Sequence, residues 1–166
     1  MYYQHLQQWS KMLSGLSAWL EKAAAEAERK GFDAQKLVGA FLAPDQYPLS
    51  RQIQAACDSP KLAVSRLTGK EAPKHEDSEQ TLAELQERIQ KTQAYLSSVT
   101  EEDFTGSEDR RIVLPFFPDK SMSASDYVIE FVTPNFNFHL SMAYAILRHN
   151  GVPLGKQDYM VNLSLK

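Results

Sequence analysis

SASDYVIEFVTPNFNFHLSMAYAILRHNG, residues 123–151, is the stretch on which the fold turns. Ser123-Ala-Ser-Asp126 offers an N-terminal cap and Asn150-Gly151 a stop, so the spacing predicts one long helix from 123 to 149, kinked at Pro134. Asn135, His139, Met142 and Ile146 fall at i, i+4, i+7 and i+11 and share one face, which Tyr127, Val128 and Phe131 extend toward the N-terminus. A histidine and an asparagine one turn apart among apolar neighbours must be hydrogen-bonded across the helix interface, or face a pocket.

Working back from this helix, Arg110-Arg-Ile-Val-Leu-Pro-Phe-Phe-Pro118 carries two prolines that exclude a helix and predict an extended segment or small hairpin. Before it, residues 78–98 read as a helix striped by Leu82, Leu85, Ile89, Thr92 and Leu96, with Asp77 and Gln80 as its capping box. A polar connection, TGKEAPKHED at 68–77, separates it from a helix over about 47–67. Leu49, Ile53, Ala56, Pro60, Ala63 or Val64, and Leu67 line that helix, Asp45 is its cap, and Pro60 predicts a kink or break near Ser59. Residues 2–30 form the first helix, striped by Leu6, Trp9, Leu13, Leu16, Leu20, Ala24 and Ala27 and stopped by Gly31. Asp33 caps a short turn after it. The tail from Val152 to Lys166 shows no periodicity. The fold class is therefore all-α: a four-helix bundle, residues 1–166 as a single domain, with a short extended excursion between the third and fourth helices.

Composition narrows the function. Eighteen Lys and Arg against 21 Asp and Glu give a net charge of −3 and no dense basic block, which removes the electrostatic footprint of a nucleic-acid binder. No apolar run reaches the length of a membrane span, and the start lacks the pattern of a signal peptide, so a cytoplasmic protein is expected. The tripeptide Asn162-Leu163-Ser164 fits a glycosylation pattern that a cytosolic protein does not use. Cys57 is the one cysteine, so neither an intrachain disulfide nor a cysteine-rich zinc module can form.

Motifs for catalysis are sparse. Gly69-Lys70 lacks the upstream glycine and the following Ser or Thr of a phosphate loop. No nucleophile elbow occurs, and Glu101-Glu102-Asp103 reads as a solvated helix start. Cys57, beside the apolar face of the second helix, reads as an inert buried thiol. The four histidines, His5, His75, His139 and His149, contain no His-x-x-x-His pair, and His149 lies about 80° around the helix from His139. The plainer reading of His139 is a paired core histidine; the sharper one is a pocket residue. Arg51 and Gln52, early in the second helix, would face the mouth of such a pocket or make surface pairs. Phe136, Phe138 and Tyr144 read as packing residues, with a subunit interface as the alternative.

These residues also carry a resemblance. Pro134-Asn-Phe-Asn-Phe-His139, Ala143-Tyr-Ala-Ile-Leu-Arg-His-Asn-Gly-Val152 and Gly155-Lys156-x-Asp158 resemble the C-terminal signature of a bacterial family of unknown function in the DinB/YfiT-like superfamily. Leu42-Ala-Pro-Asp45 with Pro48-Leu-x-Arg-Gln52, Arg66-Leu-x-Gly69, and Glu79-x-Thr81 with Arg88-Ile89 match its second- and third-helix regions. The resemblance covers nearly the whole chain. It implies a DinB-like four-helix bundle, often dimeric, in which many members hold a divalent metal by three histidines. It also implies, for some relatives, thiol-dependent transferase or isomerase chemistry with low-molecular-weight thiols. Aligned on the end of the last helix, His139 takes the position of one ligand, Asn135 that of a second, and Gln54 that of the second-helix histidine.

Two of the three ligands are thus amides, which are weak and neutral donors for zinc or nickel. Asp58, one turn beyond Gln54, is the carboxylate that could stand in. The expectation is a metal-free small-molecule pocket between the second and fourth helices, around His139, Asn135, Gln54, Asp58, Gln52 and Arg51, in a cytoplasmic homodimer. The alternatives are a thiol-dependent transferase or isomerase with His139 as acid, base or orienting group, a non-catalytic interaction bundle, and a zinc or nickel site on His139, Asn135 and Gln54.

Overall fold

A computed structural model describes residues 1–161 and residue 163. It is mostly helical with one two-stranded hairpin. Asn162 and Ser164 of the glycosylation tripeptide lie outside the described residues. Helix α1 spans Tyr2–Lys30 and ends where Gly31 takes a left-handed conformation (φ 71°), its amide closing on the carbonyls of Ala27 and Glu28. Helix α2 spans Leu49–Thr68 and α3 spans Leu82–Ser97. Strands β1 (Arg111–Leu114) and β2 (Phe117–Ser123) pair antiparallel, Arg111 opposite Ser123 and Leu114 opposite Phe117. The long last helix, α4, runs through residues 124–149 as a turn at Ala124–Asp126, a π-helical stretch at Tyr127–Val132 and an α-helix at Thr133–His149. One further turn, α5, covers Lys156–Tyr159.

The expected stripes of α2 and α3 are all buried, as are Leu6, Trp9, Leu13, Leu16, Leu20 and Ala27 of α1. Ala23, rather than the expected Ala24, completes the α1 stripe. On α4 the face rotates. Phe136, Leu140, Ala143 and Leu147 occupy the deep core, and the Asn135–His139–Met142 row lies half-buried at its flank, beside α2. Phe136 is core, and Tyr144 packs edge-on against Trp19 at 5.6 Å, which leaves Phe138 as the exposed member of that aromatic trio.

Several local expectations are corrected. Asp45 does not cap α2. Pro48 sits at the cap position, and the first free amides, those of Leu49 and Ser50, donate to the carbonyls of Ala40 and Val38 at 2.8 and 3.0 Å, so no side-chain acceptor is needed. Of the kink or break expected near Ser59, the break does not occur: α2 is continuous through Pro60, which is buried. The capping box of α3 is Thr81 with Glu84, four residues later than Asp77 with Gln80: Glu84 N donates to Thr81 Oγ1 at 3.1 Å and Thr81 N to Glu84 Oε2 at 2.9 Å. Asp77 is drawn away into ion pairs.

Pro134 acts through a widened turn. It has no N–H to give, and in a straight α-helix its ring would strike the carbonyl of Glu130. Here a π stretch precedes the proline, and the Thr133 amide reaches back five residues to Val128 O. The tail, unreadable by periodicity, docks through α5: Trp19 Nε1 donates to Asp158 O at 3.0 Å and the Trp19 ring stacks on Tyr159 at 5.7 Å. Among the described residues, no helix is long and apolar enough to cross a membrane.

Candidate functional site

Two polar arrangements and a cavity are built against helix α2. The first is built on His139. Gln52 is 1% exposed, and its Nε2 donates to Tyr47 O at 3.2 Å, which turns its Oε1 toward His139 Nδ1 at 2.8 Å. An acceptor at Nδ1 places the proton there and leaves Nε2 with its lone pair and, among the described residues, no hydrogen-bond partner. Burial pushes the imidazole below its ordinary value, and the nearby Arg51 charge pushes it further, so His139 is neutral near pH 7.

The second is an ion-pair network that spans α2, the 69–81 connection and α3. Arg88, 2% exposed, donates to Asp58 at 2.9 Å and to Asp77 and Glu79 at 3.0 Å each. Lys61, also buried, bonds Asp58 at 2.6 Å, and Arg51 pairs with Asp77. Gln54 bridges the network, accepting from Arg51 at 2.9 Å and donating to Glu79 at 2.8 Å. Burial raises the Glu79 carboxyl, but its backbone bond and those from Arg88 and Gln54 outweigh this and hold it below the ordinary carboxylate range. Asp77 is likewise lowered, against its own burial, by Arg51 and Arg88. Beside this network Cys57 is buried, and desolvation pushes its thiol up to about 12, which makes it inert.

Between these arrangements lies a cavity of about 300 Å³. One wall is a stripe of α2: Arg51, Gln54, Ala55, Asp58, Ser59, Leu62 and Arg66. The opposite wall is α4, with Tyr127, Phe131 and Val132 from the π stretch and Asn135 beyond it; Pro115 and Phe116, at the hairpin turn, close one side. Asn135 Nδ2 donates to Ser59 Oγ at 2.7 Å, which in turn donates to Ala55 O at 2.8 Å. Arg66 donates to Tyr127 Oη at 2.7 Å.

Of the six residues singled out from sequence, Arg51, Gln54, Asp58 and Asn135 therefore line one cavity, whereas His139 and Gln52 do not. They form their own pair one turn further along α4. Arg66, Tyr127, Phe116 and the Arg88 hub were missed as site residues. The signal for Arg66 was available, because Ala55, Ser59, Leu62 and Arg66 repeat at i, i+4, i+7 and i+11, a second stripe beside the apolar one.

The donor set does not fit the divalent metal that the superfamily implies. Gln54 is committed to Arg51 and Glu79, and Asn135 to Ser59, while His139 pairs instead with Gln52. The three side chains are not joined to one another, and a cation would sit near Arg51. Asp58, the expected substitute, is already held by Arg88 and Lys61. Among the described residues, no three His, Cys, Asp or Glu side chains are grouped so as to hold a metal ion.

Comparison with known proteins follows the same lines. The chain superposes with a TM-score of 0.93 on the crystal structure of a DinB family member protein from Shewanella denitrificans. The two are 45% identical, over 97% of this chain and 92% of that one. Among functionally curated proteins, none matches. With residues 1–160 matching its domain, the chain belongs to DUF1993, a domain of unknown function.

Proposed function

We propose that this DUF1993 chain is a single-domain, four-helix DinB-like bundle that binds a small organic molecule in the α2–α4 cavity without a resident metal ion. The cavity itself carries the reading. It is about 300 Å³, at the small end of ligand sites, and it combines apolar walls with a few convergent polar groups. The π stretch that supplies three of its lining residues is a device found often at functional sites. The amides at the positions of the superfamily's histidines, each held by a protein partner, support the view of a degenerate metal site. In the same proposal the protein is bacterial, cytoplasmic and homodimeric, with Phe138, 53% exposed on α4, available to the dimer contact. Light scattering that returns a monomer mass at micromolar concentration would remove the last of these.

The test has two parts. Elemental analysis of untagged protein purified without chelator should give far less than one zinc or nickel per chain; a near-stoichiometric value would overturn the metal-free reading. A ligand-observed NMR screen should find small molecules whose binding is lost in Ala55→Trp, which fills the cavity from α2. Hits indifferent to that substitution, or no hits, would favour a non-catalytic interaction bundle.

A second reading, thiol-dependent transfer or isomerisation, is supported by one observation. The neutral His139 is oriented by Gln52 and its Nε2 is unbonded among the described residues, so it is equipped to take a proton from a thiol. It predicts turnover with low-molecular-weight thiols that disappears in His139→Gln while folding persists.

A further inference from the structure

The charges and rings that line the α2–α4 cavity restrict what it can hold. Among the described residues Asp58 is the one acid in its wall, and Arg88 and Lys61 neutralise it. Arg51 is committed to Asp77 and Gln54. Arg66 differs. Its guanidinium, half-buried, bonds the phenol of Tyr127 and lies 5.7 Å from the centroid of that ring, and among the described residues it makes no ion pair. One of its five N–H groups is thereby used, and the planar fork that matches a carboxylate is otherwise uncommitted. Next to this charge the wall is flat and apolar. Phe131 stacks on Tyr127 with ring centroids 5.8 Å apart, and Phe116 approaches Phe131 at 5.7 Å from the hairpin turn while staying 58% exposed. The cavity thus presents an unpaired cation at one point and aromatic faces beside it.

We infer that the ligand is a small organic anion, with its carboxylate seated on Arg66 and a flat apolar body packed against Phe131, Phe116 and Leu62. The inference rests on the reading of this cavity as a ligand site and supplies its chemistry. At about 300 Å³ the space suits a one- or two-ring acid rather than a nucleotide or a peptide. A carboxylate on a guanidinium in a partly dry site makes charge-assisted bonds that a neutral analogue of the same shape lacks.

The probes are 2-naphthoate and its neutral counterpart 2-naphthamide, titrated calorimetrically up to millimolar concentration into the wild type, Arg66→Gln and Leu62→Glu. Leu62 is 38% exposed and one turn before Arg66 on the same stripe, so a glutamate there is tolerated by the fold and pairs with Arg66 at i, i+4. It keeps the test alive should Arg66→Gln not fold. Naphthoate should bind about 10- to 100-fold more tightly than the amide in the wild type, and the preference should vanish in both variants. Equal affinities in the wild type, or a preference that survives Leu62→Glu, would overturn the anion assignment and leave the cavity as a site for neutral ligands. Binding of neither probe would also overturn it, with the cavity reading then decided separately by the Ala55→Trp screen.

Discussion

Replacing Arg88 by Met should cost this protein much of its stability. The guanidinium is 2% exposed and donates to Asp58, Asp77 and Glu79 as well as to Glu76 O at 3.3 Å. Methionine fills a similar length but leaves three carboxylates facing one another, with only Lys61, Arg51 and Gln54 to answer them. Stranding a buried charge in this way costs about 3–5 kcal/mol. Glu79, 11% exposed, should account for most of this; Asp58 at 32% and Asp77 at 39% are partly screened by water and add less. In a chain of this size the melting temperature should fall by on the order of 10 °C. Lys91→Met, which breaks an exposed pair with Glu87 on the same helix, is the control and should stay within about 2 °C. The sign of the pH dependence is fixed as well. Glu79 and Asp77 have lowered carboxyl values, so their contribution is present above the ordinary carboxylate range and is lost as pH falls through the lowered values. The deficit of Arg88→Met should therefore be greatest near neutral pH and shrink in acid, where protonated carboxyls strand no charge. Adding Glu79→Gln to the variant should recover part of the loss. Urea unfolding at several pH values reads all of this, and a deficit under about 1 kcal/mol at neutral pH, or one that ignores pH, would refute the reasoning.

Three further outcomes are expected. His139→Ala leaves Gln52 Oε1 buried without its donor and should cost about 1–3 kcal/mol. Because burial lowers the His139 value below 6.5, its stabilising contribution is complete above that pH and lost below it, so the variant should show a smaller drop in urea midpoint between pH 7 and pH 5.5; an equal drop would assign the effect to His5 and His75, which are also lowered. Cys57 should resist a thiol-exchange reagent in the native protein and react stoichiometrically in guanidinium; rapid native labelling would contradict its burial. Pro134→Ala restores an amide donor and should shorten the π stretch at Tyr127–Val132, which a crystal structure of the variant would reveal; an unchanged stretch would assign the π geometry to packing rather than to proline.

How far the sequence could be read depends on the kind of signal. Apolar periodicity located α1, α2 and α3 and most of their core residues, because a stripe of leucines at three- and four-residue spacing packs against a common core; on α1 it passed over Tyr2, Trp19 and Ala23, which are buried beside the stripe. On α4 it placed Tyr127, Val128 and Ile146 in the core but missed Phe136, Leu140, Ala143 and Leu147, part of a turn away from the expected row. The π stretch inserts an irregularity ahead of Pro134, and the polar row of Asn135 and His139 lies at the edge of burial rather than at its centre. Caps were less legible, since Asp45 and Asp77 are good candidates locally and lose to contacts made across the fold: the carbonyls of Val38 and Ala40 in one case, Arg51 and Arg88 in the other. Arg88 was invisible as a hub because periodicity places it beside the stripe, and only the folding-back of residues 69–81 over α2 and α3 shows that its acids come to it. The stripe that ends in Arg66 mixes small, polar and apolar residues, so it signals a site more weakly than a histidine on an apolar face.

The charges of the α2–α4 seam connect the absence of a metal-binding set with the kind of ligand proposed. A site that holds a divalent cation gathers anionic or lone-pair donors and keeps other cations away. This seam does the reverse. Its amides donate toward Ser59 and Glu79, its single lining carboxylate is neutralised by two buried cations, and Arg51 is close enough to His139 to disfavour its protonation. The network sets Arg51, Lys61 and Arg88 against Asp58, Asp77 and Glu79, and Arg66 stands outside it at the cavity wall, its positive charge unbalanced among the described residues. A divalent ion entering here would meet like charge and occupied donors. An organic carboxylate would meet a free guanidinium beside two aromatic rings. On the proposed reading, the amides at the positions the resemblance gives to histidines and the arginines that line α2 act in one direction, favouring an anion over a cation in this cavity.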